Sequence, residues 1–252
     1  MLVEALKVEV LKNILMELGI ECARIIEEKV DLQFSALEKL YENLGNDELF
    51  IKLVIANSIV SYQLSGKGEQ WWLEFSNYFS QNYPETTILR AYSEFLPKSK
   101  TNKRLISSKL NRLERLEPFL MTLTLENFEV YYNNMLKFRN DLVKVMRAKG
   151  DAKTIVFAVK MFGYASRIVF RKFVPYPMEI PIPKDFRIEN YTKRFTSEDP
   201  VKFWERISKE VGIPPLHVDS ILWPVLGGEE EVKKRLKEHC EKAELVLRLS
   251  SL

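Results

Sequence analysis

The sequence predicts an all-α protein. Apolar residues recur at spacings of three and four through most of the 252 residues, and no segment reads as a β-hairpin. The breaks in the pattern fall at turn residues, such as SGKG at 65–68 and GIPP at 212–215. No internal repeat or low-complexity tract interrupts this organisation.

The elements follow in order. Leu2 to Glu28 carries a stripe of Leu11, Ile14, Leu15 and Leu18, punctuated at Gly19. Asp31 or Ser35 is placed to cap the next helix, which carries Leu37, Leu40 and Tyr41. Asp47 to Gln63 reads as a largely buried helix. After SGKG comes a helix with Trp71, Trp72, Phe75 and Phe79, and then a short helix bracketed by Pro84 and Pro97. A helix is expected from about Glu126 to Arg147, with Phe128, Tyr131, Tyr132, Met135 and Leu142 on it. AKGD at 148–151 is a tight break, and Asp151 is placed to cap a helix starting at Ala152, with Lys153 in its first turn. That helix runs through Phe157, Met161 and Tyr164 to about Phe170. The stretch FVPYPMEIPIPKD then sets Pro175, Pro177, Pro181 and Pro183 within nine residues. Proline lacks an N–H and fixes φ, so this is a stiff extended strut, and it ends at Asp185. PVKFWERISKEV, HVDSILWPVLGG and a charged terminal segment from Glu229 complete the helices.

Composition narrows the function. With 46% apolar and 29% charged residues the chain folds as a globular protein and is not disordered. The longest apolar candidate for a membrane span, Leu49 to Leu64, is broken by Lys52, Asn57 and Gln63. The opening MLVEALKVEVLK carries acids and does not read as a secretory signal. Cys22 and Cys240 are the two cysteines, His217 and His239 the two histidines. A four-cysteine zinc site and an iron–sulfur cluster are therefore excluded within one chain, a framework of several disulfides is also out, and a reduced, cytoplasmic setting is expected. His239 and Cys240 are adjacent and cannot both face one metal site. A cysteine–histidine catalytic pair has no motif to support it. No metal and no cofactor is expected. The net charge is only +3, but Lys98 to Arg115 holds seven basic residues against Glu114 alone. That run offers a phosphate-binding face.

Helix, short glycine hairpin, helix with a lysine in its first turn, then a proline strut ending in an aspartate: this order resembles the helix-hairpin-helix DNA glycosylases. More narrowly it resembles the archaeal 8-oxoguanine DNA glycosylases called AGOG. The residues that carry the resemblance are KGDAKTIVFAVKMFGYA at 149–165, IPIPKDFRI at 180–188 and DSILWPVLG at 219–227, with SYQLSGKGEQWW at 61–72 and LQFSAL at 32–37. The likeness spans most of the chain in family order. Two departures from the wider superfamily favour the archaeal branch. Gly150 stands three residues before Lys153 with no second glycine ahead of it, and Asp185 follows Lys153 by 32 residues. The missing cluster cysteines point the same way.

The resemblance implies one helix-hairpin-helix glycosylase domain over 1–252, with the hairpin at about 126–170 and the strut at 174–185. It implies two helical subdomains with the active-site cleft between them. The implied activity is bifunctional: 8-oxoguanine is flipped out and excised, and the strand is cut by β-elimination from a lysine Schiff base. The partner is DNA containing 8-oxoguanine, with no membrane involved, and the protein is expected to be a monomer. Lys153 and Asp185 match the catalytic positions, and Gly150 and Lys149 match the backbone-gripping hairpin. Phe157 and Trp223 match the walls of the base pocket, and Gln33 and Trp71 its remaining base contacts.

The residues themselves support these roles. A lysine is a nucleophile only when its amine is neutral, which desolvation and a helix N-terminus both favour. A carboxylate offsets positive charge as the sugar becomes oxocarbenium-like. Phe157 lies one turn beyond Lys153, and Lys160 falls on the same face. Asp219 precedes Trp223 by four residues, and its carboxylate suits the donors on a guanine Watson–Crick edge. The lesion differs from guanine by an N7–H donor and an O8 acceptor. An amide oxygen from Gln33 and an indole N–H from Trp71 would match those groups, with the pairing left open. On composition alone Trp71, Phe157 and Trp223 would be core, Lys153 a solvated lysine and Asp185 a plain helix cap. Of the two adjacent tryptophans, Trp72 is the one expected to be structural. Two other functions fit the same features: a helix-hairpin-helix glycosylase for another damaged base, and a non-catalytic DNA-binding helical protein.

Overall fold

A computed structural model describes residues 2–252, apart from the side chain of Leu2. Fourteen α-helices and no strand are present among the described residues. They form two compact units. One is assembled from the two ends of the chain, up to Leu32 and from Pro175 to Leu252; the other is the continuous stretch Gln33–Val174.

The continuous unit contains α2 (Leu32–Leu44), from Gln33 onward, α3 (Asp47–Ile59), α4 (Gly68–Gln81), α5 (Ile88–Phe95), α6 (Ile106–Met121), α7 (Leu125–Asn133), α8 (Met135–Met146) and α9 (Lys153–Phe170). Helix α3 is buried from Phe50 to Ile59 except at Lys52, which pairs with Glu48, as expected of a largely apolar helix. It packs along α9, which is buried without a break from Ala158 to Arg167. This helix pair is the centre of the unit. The buried run begun at Asp47 ends at Ile59, short of Gln63, and residues 60–67 form turns. Glu74 orders the segment before α6 by accepting from Lys100 N (2.6 Å), Thr101 N (3.1 Å) and Ser99 Oγ (3.0 Å).

Two local expectations are corrected. The single helix over 126–147 is two helices, because Asn134 leaves helical geometry (φ −144°, ψ 71°) and its side chain accepts from Lys137 N, starting α8. Asp151 does not cap α9: the helix begins at Lys153, its cap residue is Ala152, and no side chain satisfies the first turn. Helices α8 and α9 both end on arginines in the left-handed region, Arg147 (φ 50°) and Arg171 (φ 52°), where glycine is the usual choice.

The unit built from the chain ends contains α1 (Leu2–Ile25), α10 (Phe186–Thr192), α11 (Pro200–Val211), α12 (Pro215–Leu226), α13 (Glu230–His239) and α14 (Ala243–Arg248). Gly19 takes φ 69° and kinks α1, a conformation an L side chain resists. A π-helical turn, Ile26–Val30, extends α1 and closes with Asp31 N donating to Ile26 O at 2.9 Å. This turn carries Glu27 into the core, where His217 Nδ1 donates to Glu27 Oε1 at 2.6 Å and both side chains are fully buried. Tyr176 N donates to His217 Nε2 at 3.2 Å, so the imidazole ties the start of the strut to α12. Losing one partner of such a buried bond costs about 1–3 kcal/mol.

Candidate active site

Each unit presents its own set of candidate residues. In the continuous unit the hairpin runs from Arg147 to Ala152. Its backbone turns back through Ala148 N to Val143 O (3.1 Å) and Ala152 N to Lys149 O (3.1 Å). Three arginines, Arg139 of α8 and Arg112 and Arg115 of α6, brace this turn and the helix ends that flank it. Arg139 Nη1 donates to Gly150 O (3.3 Å), Arg115 Nη1 to Met146 O (3.3 Å), and Arg112 Nη2 to Thr154 Oγ1 (2.9 Å). A Cβ on Gly150 would lie 2.6 Å from Arg139 Nη1, so the guanidinium's close approach uses the missing side chain.

Lys153 is the first residue of α9 and its side chain is exposed. The N-terminal amides of α9 lack a side-chain cap, so the positive end of the helix faces outward beside the amine. Phe157, one turn on, is half-buried and meets the edge of Trp72 (ring centroids 5.9 Å apart, interplanar angle 67°). Lys160, a further turn along, is buried, with Nζ 6.0 Å above the Tyr164 ring. Tyr164 in turn meets Phe34 edge-on at 5.2 Å, and Gln33 beside it lies against the start of α4 near Gly68. Helices α2, α4 and α9 thus bring Gln33, the tryptophan pair, Phe157 and Lys160 into one neighbourhood.

The tryptophans divide differently from the expectation. Both are fully buried. Trp71 stacks flat on Phe95 (5.3 Å, 10°) and its Nε1 donates to Ser61 Oγ at 2.8 Å. Its indole N–H therefore already has a partner, and it is Trp72 that touches Phe157. The basic run also divides. Lys98, Lys100, Lys103 and Arg104 are exposed, with Lys98 Nζ 5.9 Å from the Tyr78 ring and Arg104 Nη1 donating to Leu64 O at 3.4 Å, whereas Arg112 and Arg115 turn toward Thr154 and Met146. Lys109 is buried beneath Tyr62, donating to Asn102 Oδ1 and to Arg104 O. Burial, with a smaller push from Arg104, lowers its pKa to about 8.

In the other unit the proline segment is not extended throughout, since it turns at 178–180 with Ile180 N donating to Pro177 O (3.3 Å), and it leads to Asp185 at the N-cap of α10. Oδ1 accepts from Arg187 N and Ile188 N, both at 3.0 Å. Oδ2 accepts from Arg187 Nη2 at 3.1 Å and Nε at 3.3 Å. Asp219 and Trp223 both lie on α12, a helix, so their four-residue spacing sets them on one face, each half-buried. Gly227 ends α12 against Arg187: a Cβ there would sit 1.9 Å from Arg187 Nη1. Sequence reasoning missed Ser61, Arg139, Glu27 and His217 as partners in these arrangements, and read Arg112 only as part of the basic run. Only the buried pair Glu27–His217 left no local signal, because its members are 190 residues apart. No cluster of three His, Cys, Asp or Glu residues able to hold a metal is found among the described residues.

An all-helical chain with an arginine-braced hairpin, a lysine opening the next helix and a capping aspartate after a proline strut defines a helix-hairpin-helix DNA repair glycosylase. The AGOG N-glycosylase/DNA lyase model matches residues 12–249, and the chain belongs to that family. A Thermococcus kodakarensis N-glycosylase/DNA lyase is 67% identical over 239 residues, covering 94% of this chain and 91% of the relative. One from Methanococcus maripaludis is 50% identical, covering 98% of both. In structure the chain is similar to the 8-oxoguanine DNA glycosylase Pa-AGOG of Pyrobaculum aerophilum, solved with 8-oxoguanosine. The TM-score is 0.79 at 26% identity, covering 96% of this chain and 95% of that one.

Proposed function

We propose that this protein excises 8-oxoguanine from DNA and then cuts the strand, using Lys153 as a Schiff-base nucleophile. The observation that carries the reading is the position of Lys153 as first residue of α9, directly after the braced hairpin and one turn before Phe157. The family and the likeness to an 8-oxoguanosine-bound glycosylase support it.

Lys153 Nζ attacks the anomeric carbon, the N-glycosidic bond breaks, and the base leaves, taking up a proton. Opening of the sugar ring gives an iminium. Loss of a C2′ proton then expels the 3′ phosphate by β-elimination, and water releases the lysine. Lys153 is exposed in the free protein, so the DNA itself strips its water on docking. Asp185 offsets the positive charge that develops on the sugar. Flipping costs a few kcal/mol, recovered by stacking on Phe157 and Trp223 and by Asp219 accepting from the guanine edge. Gln33 meets the lesion's imidazole side, while Trp71, its N–H held by Ser61, buttresses that side from behind. Lys160 supports the floor of the base site. The amides of Gly150, Asp151 and Lys153, with Lys149, hold a phosphate, and the absence of an acidic cap at the start of α9 suits an anion. The protein acts as a monomer in the cytoplasm, on the nucleoid.

The test is incision of a duplex carrying one 8-oxoguanine, with undamaged guanine as control and borohydride trapping of the intermediate. Wild type is expected to give a covalent adduct and a cut strand. Lys153→Gln is expected to abolish both while DNA binding is nearly kept. Trapping at wild-type yield in that variant would refute the assignment.

A further inference from the structure

The chain's two cysteines, 218 residues apart in sequence, meet inside the unit built from its two ends. Cys22 lies on α1 just beyond the Gly19 kink; Cys240 is the residue that ends α13. Their Sγ atoms stand 3.5 Å apart, and both side chains are buried, at 4% and 5% exposure, in the same apolar core. What two thiols at this distance can do, and two methyl groups cannot, is join. The sulfurs need to close by only about 1.5 Å to reach bonding distance.

We propose that Cys22 and Cys240 form an intramolecular disulfide that staples the two ends of the chain. The step consumes a disulfide oxidant: a thiolate attacks it, a mixed disulfide forms, and the second thiolate displaces the remaining thiol. Two cysteine thiols and one external disulfide thus yield one protein disulfide and two external thiols. The location gives the bond its effect. This unit is discontinuous: Met1–Leu32 and Pro175–Leu252 must find each other across the whole intervening unit. A covalent link across so long a loop removes more unfolded-chain freedom than one across a short turn. The geometry also predicts when the bond forms. Burial, and then the neighbouring Cys240, push the Cys22 thiol up to about 12, so little thiolate exists in the folded state. The bridge therefore closes as the chain folds, and only slowly in the native protein.

The full-length protein is unfolded with reductant, then refolded with oxidised glutathione or with reduced glutathione. Each sample is alkylated in denaturant for intact-mass measurement and melted in parallel. After oxidative refolding the monomer should take up no alkyl groups, and its Tm should exceed that of the reduced form by on the order of 10 °C. Cys240→Ser, and separately Cys22→Ala, should melt at the same temperature under both conditions. Lesion incision at moderate temperature should be equal for bridged and reduced protein, so the result stands apart from the DNA chemistry. Two free thiols after oxidative refolding, bridging only between molecules, or a bridged monomer melting no higher than the reduced one would each overturn the proposal.

Discussion

Asp185 gives the sharpest separation of catalysis from architecture, because the same carboxylate caps a helix and is proposed to face the sugar. Asp185→Asn keeps an oxygen at Oδ1 to accept from Arg187 N and Ile188 N, and asparagine caps about as well as aspartate. What it removes is the charge. The structural cost is the pair with Arg187, whose side chain is 44% exposed, and such pairs are worth about 0–1 kcal/mol. For a chain of this length that lowers Tm by at most about 4 °C. The catalytic cost is larger: losing one preorganised charge at the transition state costs on the order of 10²–10³ in rate, or roughly 2.7–4 kcal/mol. Asp185→Ala additionally loses the cap, a further penalty of about 0.5–2 kcal/mol in stability. The assay is single-turnover excision on a lesion duplex with enzyme in excess, run beside a thermal melt of each variant. Asp185→Asn is expected to melt near wild type, bind lesion DNA, and turn over at least a hundredfold more slowly. A loss below tenfold with an unchanged melt would reduce Asp185 to a helix cap and remove it from the chemistry.

Three further outcomes are expected. Gln33→Ala should shrink the preference for 8-oxoguanine over guanine in a competition assay, by the roughly 1–3 kcal/mol that an unpaired lesion N7–H costs; full selectivity would discard the amide as lesion reader. Trp223→Ala should weaken capture of both bases alike, since stacking is worth about 1–3 kcal/mol per base regardless of identity, and a change in the lesion-to-guanine ratio would contradict that role. Lys109 titrates near 8 in the fold against about 10.4 unfolded, so above pH 8 the unfolded chain binds more protons and stability from this group rises with pH up to about 10. Thermal melts over that range should show a rising component that Lys109→Met lacks; an identical slope in both proteins would mean the lysine keeps its charge when buried.

Helices with a strong apolar period were legible, and so was the order hairpin, lysine helix, proline strut, aspartate. The reason is that proline and glycine restrict the backbone whatever surrounds them. Boundaries set by single polar side chains were less so. Asn134 interrupts a continuous apolar pattern because its own side chain captures Lys137 N, a contest that periodicity does not register. Asp151 had the right chemistry to cap α9 and lost because the chain enters that helix through Ala152. Arg147 and Arg171 take left-handed conformations that sequence rules reserve for glycine or asparagine.

The candidate site divides along the same line. Spacing along one helix placed Phe157 and Lys160 after Lys153, and Asp219 before Trp223, because 3.6 residues per turn is a local rule. Choosing between Trp71 and Trp72 is not a local matter. The two differ by about 100° around α4, and the outcome depends on what each side meets: Phe95 and Ser61 for one, Phe75 and Phe157 for the other. Neither composition nor helical spacing carries that information. The hairpin shows the same limit from the other direction. Arg112 and Arg115 read as part of one cationic surface, yet they donate to Thr154 and Met146 and hold the hairpin's geometry. A basic run is thus two populations: residues that turn inward to bond Thr154 and Met146 on either side of the hairpin, and residues such as Lys100 and Lys103 that stay in water. Substituting the first group should alter the rate of chemistry on bound DNA. Substituting the second should alter affinity and its dependence on salt.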